Sequence, residues 1–157
     1  MSAEQRIREL GIHLPTAKAP AGNYDSVVRS GNLLFTSGRA PSTADGRAAR
    51  GQLGHDISTA EGYALARSAC IDLLAVIRQE LGSLDRIARF VELHGAIRAV
   101  PEFEEHADVL DGASDLLVEV FGSAGRHIRS VIGVSSLRKG VPLTVRATVE
   151  IKAGEAS

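Results

Sequence analysis

The segment Val141–Lys152, VPLTVRATVEIK, alternates without interruption. Val141, Leu143, Val145, Ala147, Val149 and Ile151 fall on one side, and Thr144, Arg146, Thr148, Glu150 and Lys152 on the other. Side chains of a strand point to opposite faces with a period of two. This segment is therefore a strand covered on one face and wet, or facing a polar interface, on the other. Such a strand needs neighbours and a cover, and the rest of the chain must supply both.

The neighbours are legible. SVVRSGNLLFTSG has two apolar runs around Ser30-Gly31, the pattern of a hairpin. In DRIARFVELHGAIRA, strict alternation puts Val91, Leu93 and Ile97 on one face, with Gly95 between them. It puts Phe90, Glu92, His94 and Ala96 on the other. HIRSVIGV, His127–Val134, reads as a buried strand with Ile128, Ser130, Ile132 and Val134 on one side. Arg129 then shares a side with Val131 and Gly133. An unpaired buried charge is very costly, so this arginine needs water, a carboxylate or an anionic ligand.

The cover is helical. Ser58-Thr59-Ala60-Glu61 fits a capping box. Ala66, Cys70, Leu73, Ile77 and Leu81 follow at spacings of three and four, and Gly82 ends the helix. Pro101 is expected to open a second helix with Phe103, Leu110, Leu117 and Phe121 as its stripe and Gly122 as its end. Met1–Leu10 reads as a short helix, and LPTAKAPAG as an irregular arm. RAPSTADGRAARGQLGHD reads as a loop with room for a short edge strand. The order β-β-(β)-α-β-α-β-β describes an α+β layer, with two helices on one face of a mixed sheet. One domain is expected over residues 1–157, with 1–22 as an N-terminal arm and 23–152 as the core.

Composition narrows the function. A formal net charge of −1 offers no basic surface for a polyanion, so no nucleic-acid partner is expected. The single cysteine, Cys70, excludes an internal disulfide and suits a reducing compartment. MSAEQRIREL lacks the apolar run of a signal peptide, and no window approaches a membrane span. A cytoplasmic protein with no membrane partner is the expectation.

Metal and cofactor motifs are missing: there is no HExxH, no paired cysteine and no GK[ST] phosphate loop. Glu92 and His94 form a polar pair on one strand face, without a third ligand. TSGR at Thr36–Arg39 lacks the flanking glycines of a nucleophile elbow. Cys70 lies on an apolar stripe and belongs to the core. Arg129 is left with two readings. One is an ion pair with Glu92 or Glu150. The other is a clamp whose guanidinium fork matches a ligand carboxylate.

Two stretches carry a family resemblance: APAGNYDSVVRSGNLLFTSGRAP, and GASDLLVEVFGSAGRHIRSVIGVSSLRKGVPLTVRATVEI. From about Leu14 to Ile151 the chain resembles the RidA/YjgF family, formerly labelled L-PSP endoribonuclease. The second stretch looks like a branch distinct from the best-known imine deaminases. The resemblance implies a chorismate-mutase-like fold, a homotrimer with clefts between subunits, and a small-molecule carboxylate ligand. No cofactor is implied. The family's substrate-binding arginine falls on Arg129, its aromatic on Tyr24, and its Ser-Gly backbone contact on Ser37 and Gly38. The glutamate that positions the attacking water in the deaminases is replaced by Thr144, a second glutamate by Arg146, and a common cysteine by Val131. A hydroxyl at Thr144 holds water but is no base near neutral pH. Arg146 is expected to add positive charge near Arg129.

The implied activity is hydrolysis of reactive enamines or imines to a 2-keto acid and ammonia. Arg129 would bind the carboxylate, and Glu92 or Glu119 would be the substitute bases. The alternatives are a non-catalytic binder of small carboxylates on the same fold, and a hydrolase acting on another small molecule. The ribonuclease of the old family name is disfavoured by charge.

Overall fold

The computed structural model describes residues 1–153. Five strands form one sheet in the order β1-β2-β5-β3-β4. They are β1 (Val27–Ser30), β2 (Leu33–Thr36), β3 (Ile87–Arg98), β4 (Ile128–Val134) and β5 (Leu143–Ile151). Only the β3–β4 pair is parallel, joined by a helical crossover. Helices α2 (Thr59–Leu81) and α3 (His106–Phe121) pack on one face, and α1 (Ala3–Glu9) docks beside α3. The fold is thus α+β, as its periodicities imply, with the two expected helices on the sheet and the short helix read at Met1–Leu10 beside them.

The local signals account for most boundaries. Ser58 Oγ accepts from the Glu61 amide and Glu61 returns the bond to the Ser58 amide, so the α2 capping box is complete. Gly82 closes α2 in the left-handed region, at φ 84°. Gly31, at φ 62°, takes the first central position of the two-residue β1–β2 turn, where an L side chain would be strained. All six apolar residues of Val141–Ile151 are buried. Ile7 of α1 is also buried in this core.

Four expectations are corrected. Helix α3 begins at His106, five residues after Pro101, because Pro101 and Glu102 form a turn first. The RAPSTADGRAARGQLGHD loop forms isolated bridges such as Ser42–Ala48, and no strand. Strict alternation fails in β3, where register shifts fall between Ile87 and Arg89 and between Phe90 and Glu92. The extra residue turns Phe90 into the core with Leu93. Finally, β4 is an edge strand whose Ile128 and Ile132 are 68% and 51% exposed, so it is not buried.

Cys70 is fully buried, and burial pushes its thiol up to about 12. Native protein is therefore expected to leave Ellman's reagent unreacted at pH 8, and unfolded protein to consume one equivalent. The folded pKa lies above the unfolded one. This contribution to stability is thus intact below the ordinary thiol pKa and declines as pH rises from there towards 12. Cys70→Ala should flatten that alkaline decline in urea titrations.

Candidate functional site

The two sheet faces differ in kind. Leu93, Gly95 and Ile97 of β3 face the helices, and their β4 partners are Arg129, Val131 and Gly133. The open face carries Glu92, His94 and Ala96 beside Ile128, Ser130 and Ile132 of β4 and Thr148, Arg146 and Thr144 of β5. Exposed Val28, Leu33 and Phe35 continue it. Among these, His94 Nδ1 lies 2.7 Å from Ser130 Oγ.

The company Arg129 keeps is now explained. Gly133 leaves room for His106, since a Cβ there would stand 2.5 Å from His106 Nε2. Val131 packs against the core. Arg129, nearer the strand start, reaches out to α3. Its Nη1 donates to Asp111 Oδ1 at 2.7 Å and to Ser114 Oγ at 3.1 Å. The expected pairing with Glu92 or Glu150 is therefore wrong. Both lie in register with the opposite face, while Arg129 pairs with buried Leu93. The Arg129 side chain is 25% exposed, and its Nε and Nη2 make no hydrogen bond among the described residues.

Thr144 faces the other way. It pairs with Ala96 on the open face, and a Cβ on Gly38 would lie 3.5 Å from Thr144 Cβ. Ser37 anchors this end of the hairpin, with its amide donating to Ser26 O at 2.9 Å and its hydroxyl at 3.4 Å. Arg39 bridges to Val145 and is buried against Asp72 at 2.6 Å. Tyr24 is 51% exposed before β1, its hydroxyl accepting from the Ala21 amide.

Ser37, Gly38 and Thr144 thus meet in one chain, and Arg129 does not join them. Arg146 pairs with His94 on the open face, so it is not the neighbour of Arg129 that it was expected to be. Nor is Glu119 free as a base near Arg129, since it pairs with Arg67 at 3.0 Å.

Three residues around Arg129 escaped the sequence reading: Asp111, Ser114 and His127. Asp111 and Ser114 lie three apart on one helix face, and His127 stands two residues before Arg129, just ahead of β4. Those spacings were visible. That α3 lies across this end of β4 was not. Among the described residues no group of three or more His, Cys, Asp and Glu is placed to hold a metal. No described helix is long and apolar enough to cross a membrane.

The model described as "YjgF/chorismate mutase-like, putative endoribonuclease" matches residues 4–145, and the chain belongs to that family. Protein TCP17 of Trypanosoma cruzi is 42% identical over 146 residues, covering 92% of this chain and 91% of its own. A crystal structure titled a "putative endoribonuclease" from Shewanella oneidensis is 36% identical. It superposes with a TM-score of 0.92 over 96% of this chain and 100% of its own. E. coli TdcF, solved with bound serine, is 20% identical with a TM-score of 0.63, over 87% of this chain and 94% of that one. At that identity the likeness speaks to fold alone.

Proposed function

We propose that this protein hydrolyses reactive enamines and imines derived from amino acids, in clefts between the subunits of a cytoplasmic homotrimer. The observation that carries the reading is Arg129. Its guanidinium is oriented by Asp111 through one nitrogen, while the Nε and Nη2 edge is free to take a carboxylate in two parallel hydrogen bonds.

The trimer is part of the proposal for a geometric reason. Arg129 and the Ser37–Gly38–Thr144 group lie on opposite faces of one sheet, so a cleft holding both needs two copies. The open face supports this, since Val28, Leu33, Phe35, Ile128 and Ile132 are exposed on it. Apolar residues gathered on one sheet face favour a protein cover.

In the proposed reaction Arg129 binds the substrate carboxylate and withdraws charge from the adjacent imine carbon. Tyr24 shapes the cleft. An enamine first tautomerises to the imine, gaining a proton at its terminal carbon and losing one from nitrogen. Water held by the Ser37–Gly38 backbone and the Thr144 hydroxyl then adds across the C=N bond, its oxygen to carbon and a proton to nitrogen. The carbinolamine collapses to the 2-keto acid and ammonia. Imines hydrolyse readily, so positioning supplies much of the acceleration.

The second reading, a binder without turnover, is favoured by one feature: Thr144 offers no carboxylate to take a proton. Ammonia release from enzymatically generated 2-aminoacrylate separates the two. Acceleration by the intact protein is expected, with Arg129→Ala lowering it by roughly 100-fold, as for a lost charge-assisted contact. Carboxylate binding without acceleration would establish the second reading. RNA cleavage that persists after further purification would overturn both.

A further inference from the structure

The groove between α3 and the start of β4 holds a serine–histidine pair, Ser114 and His127, which imine hydrolysis does not use, although both share Arg129. Ser114 Oγ lies 2.9 Å from His127 Nε2. His127 Nδ1 lies 2.6 Å from the Gly125 carbonyl oxygen. A carbonyl only accepts, so Nδ1 carries the hydrogen, and in the neutral ring Nε2 is the acceptor. The Ser114 hydroxyl therefore donates to His127 and accepts from Arg129 Nη1 at 3.1 Å. A serine inside a helix usually turns to solvent or to a carbonyl in its own preceding turn. This one is turned to a base.

The backbone holds the arrangement in place. Gly125 packs so tightly on α3 that a Cβ would stand 2.1 Å from Leu117 O. That contact positions the carbonyl that orients the imidazole. The groove has a volume of about 270 Å³ and is lined by Ser114, Asp115, Val118, Arg126, His127 and Arg129.

We propose that Ser114 is a nucleophile activated by His127, and that the groove hydrolyses small esters or thioesters whose acyl group carries a carboxylate. Nucleophile, base and a group orienting the base are the three parts such a site needs. Ser114 Oγ attacks the acyl carbonyl while its proton passes to His127 Nε2. The Nη1 N–H of Arg129 that points at Ser114 Oγ turns to the developing oxyanion and stabilises it. The leaving oxygen or sulfur departs with the proton from His127. Water then attacks the acyl-serine, giving one proton to Nε2 and from there to Ser114 Oγ, and the carboxylic acid leaves. Arg126 supplies the charge that selects an anionic acyl chain.

The test combines labelling and turnover on the intact protein. A fluorophosphonate probe is expected to modify Ser114, located by peptide mass spectrometry. Mono-p-nitrophenyl succinate is expected to be cleaved faster than p-nitrophenyl acetate, and Arg126→Ala to remove that preference. Ser114→Ala and His127→Gln should each lower turnover by about 100-fold or more. Should Ser114→Ala fold poorly, Ser114→Cys keeps the nucleophile, and its alkylation by iodoacetamide should slow when His127→Gln is added. No labelling of Ser114 in folded protein overturns the proposal. So does ester cleavage that survives Ser114→Ala, which would make His127 act on water alone. Neither result bears on 2-aminoacrylate, whose hydrolysis needs no acyl-enzyme.

Discussion

Gly112→Ala is expected to lower stability by about 3–5 kcal/mol, a large part of the 5–15 kcal/mol typical of a domain. Helices α2 and α3 cross at this point. A Cβ on Gly112 would stand 2.0 Å from the Tyr63 carbonyl oxygen, 2.9 Å from its carbon and 3.2 Å from the Arg67 amide nitrogen. All three are backbone atoms, so no rotamer change relieves the clash and the helices must move apart. Separation would stretch the bonds that tie them, Tyr63 Oη to Asp115 at 2.6 Å and Arg67 to Glu119 at 3.0 Å. Gly62→Ala is the control. Its Cβ would meet only side-chain ends, Leu53 Cδ1 at 2.7 Å and Val109 Cγ2 at 2.9 Å, which can yield. A cost of about 1–3 kcal/mol is expected there. Urea unfolding of both variants checks the argument. Equal effects would show that the backbone contact is not what makes Gly112 necessary.

Asp72→Ala should cost about 3–5 kcal/mol, because it strands a buried cation. Arg39 is 9% exposed, and its Nε donates to Asp72 Oδ2 at 2.6 Å. Removing both charges is a different experiment. Arg39→Met with Asp72→Ala should recover most of the loss, since a buried ion pair often gives little net stability over apolar residues of similar size. The pair also matters to the site. Arg39 follows Gly38 and exchanges backbone hydrogen bonds with Val145, next to Thr144. Stranding it should weaken ligand binding beyond the fraction of protein unfolded, as read by titration of the folded variant. A binding loss no larger than the unfolded fraction would confine the pair to stability.

Local rules carried the reading as far as local forces act. The Ser58 box, the Gly82 stop, the Gly31 turn and the Val141–Ile151 alternation each depend on a few adjacent residues. Three appear where the sequence places them, and the turn falls one residue later, at Gly31-Asn32, because Ser30 still pairs with Leu33. The errors fell where distant segments intervene. Phe90 reaches the core through a bulge against β5, and alternation within β3 alone had put it on the other face. Ile128 and Ile132 look like core residues in sequence and are exposed because β4 ends the sheet.

By itself, the sequence determined the class of fold, the apolar face of β5, both ends of α2 and one end of α3, and that Arg129 needs a partner. Each is written in periodicity, capping chemistry or the cost of an unpaired charge, which act within a few residues. Tertiary structure alone decided what Arg129 meets. Laying α3 across β4 brings Asp111 and Ser114 from 18 and 15 residues away, and turns Glu92 and Glu150 to the opposite face. A guanidinium takes whichever carboxylate the packing of the helix presents, and no spacing in the chain records that choice.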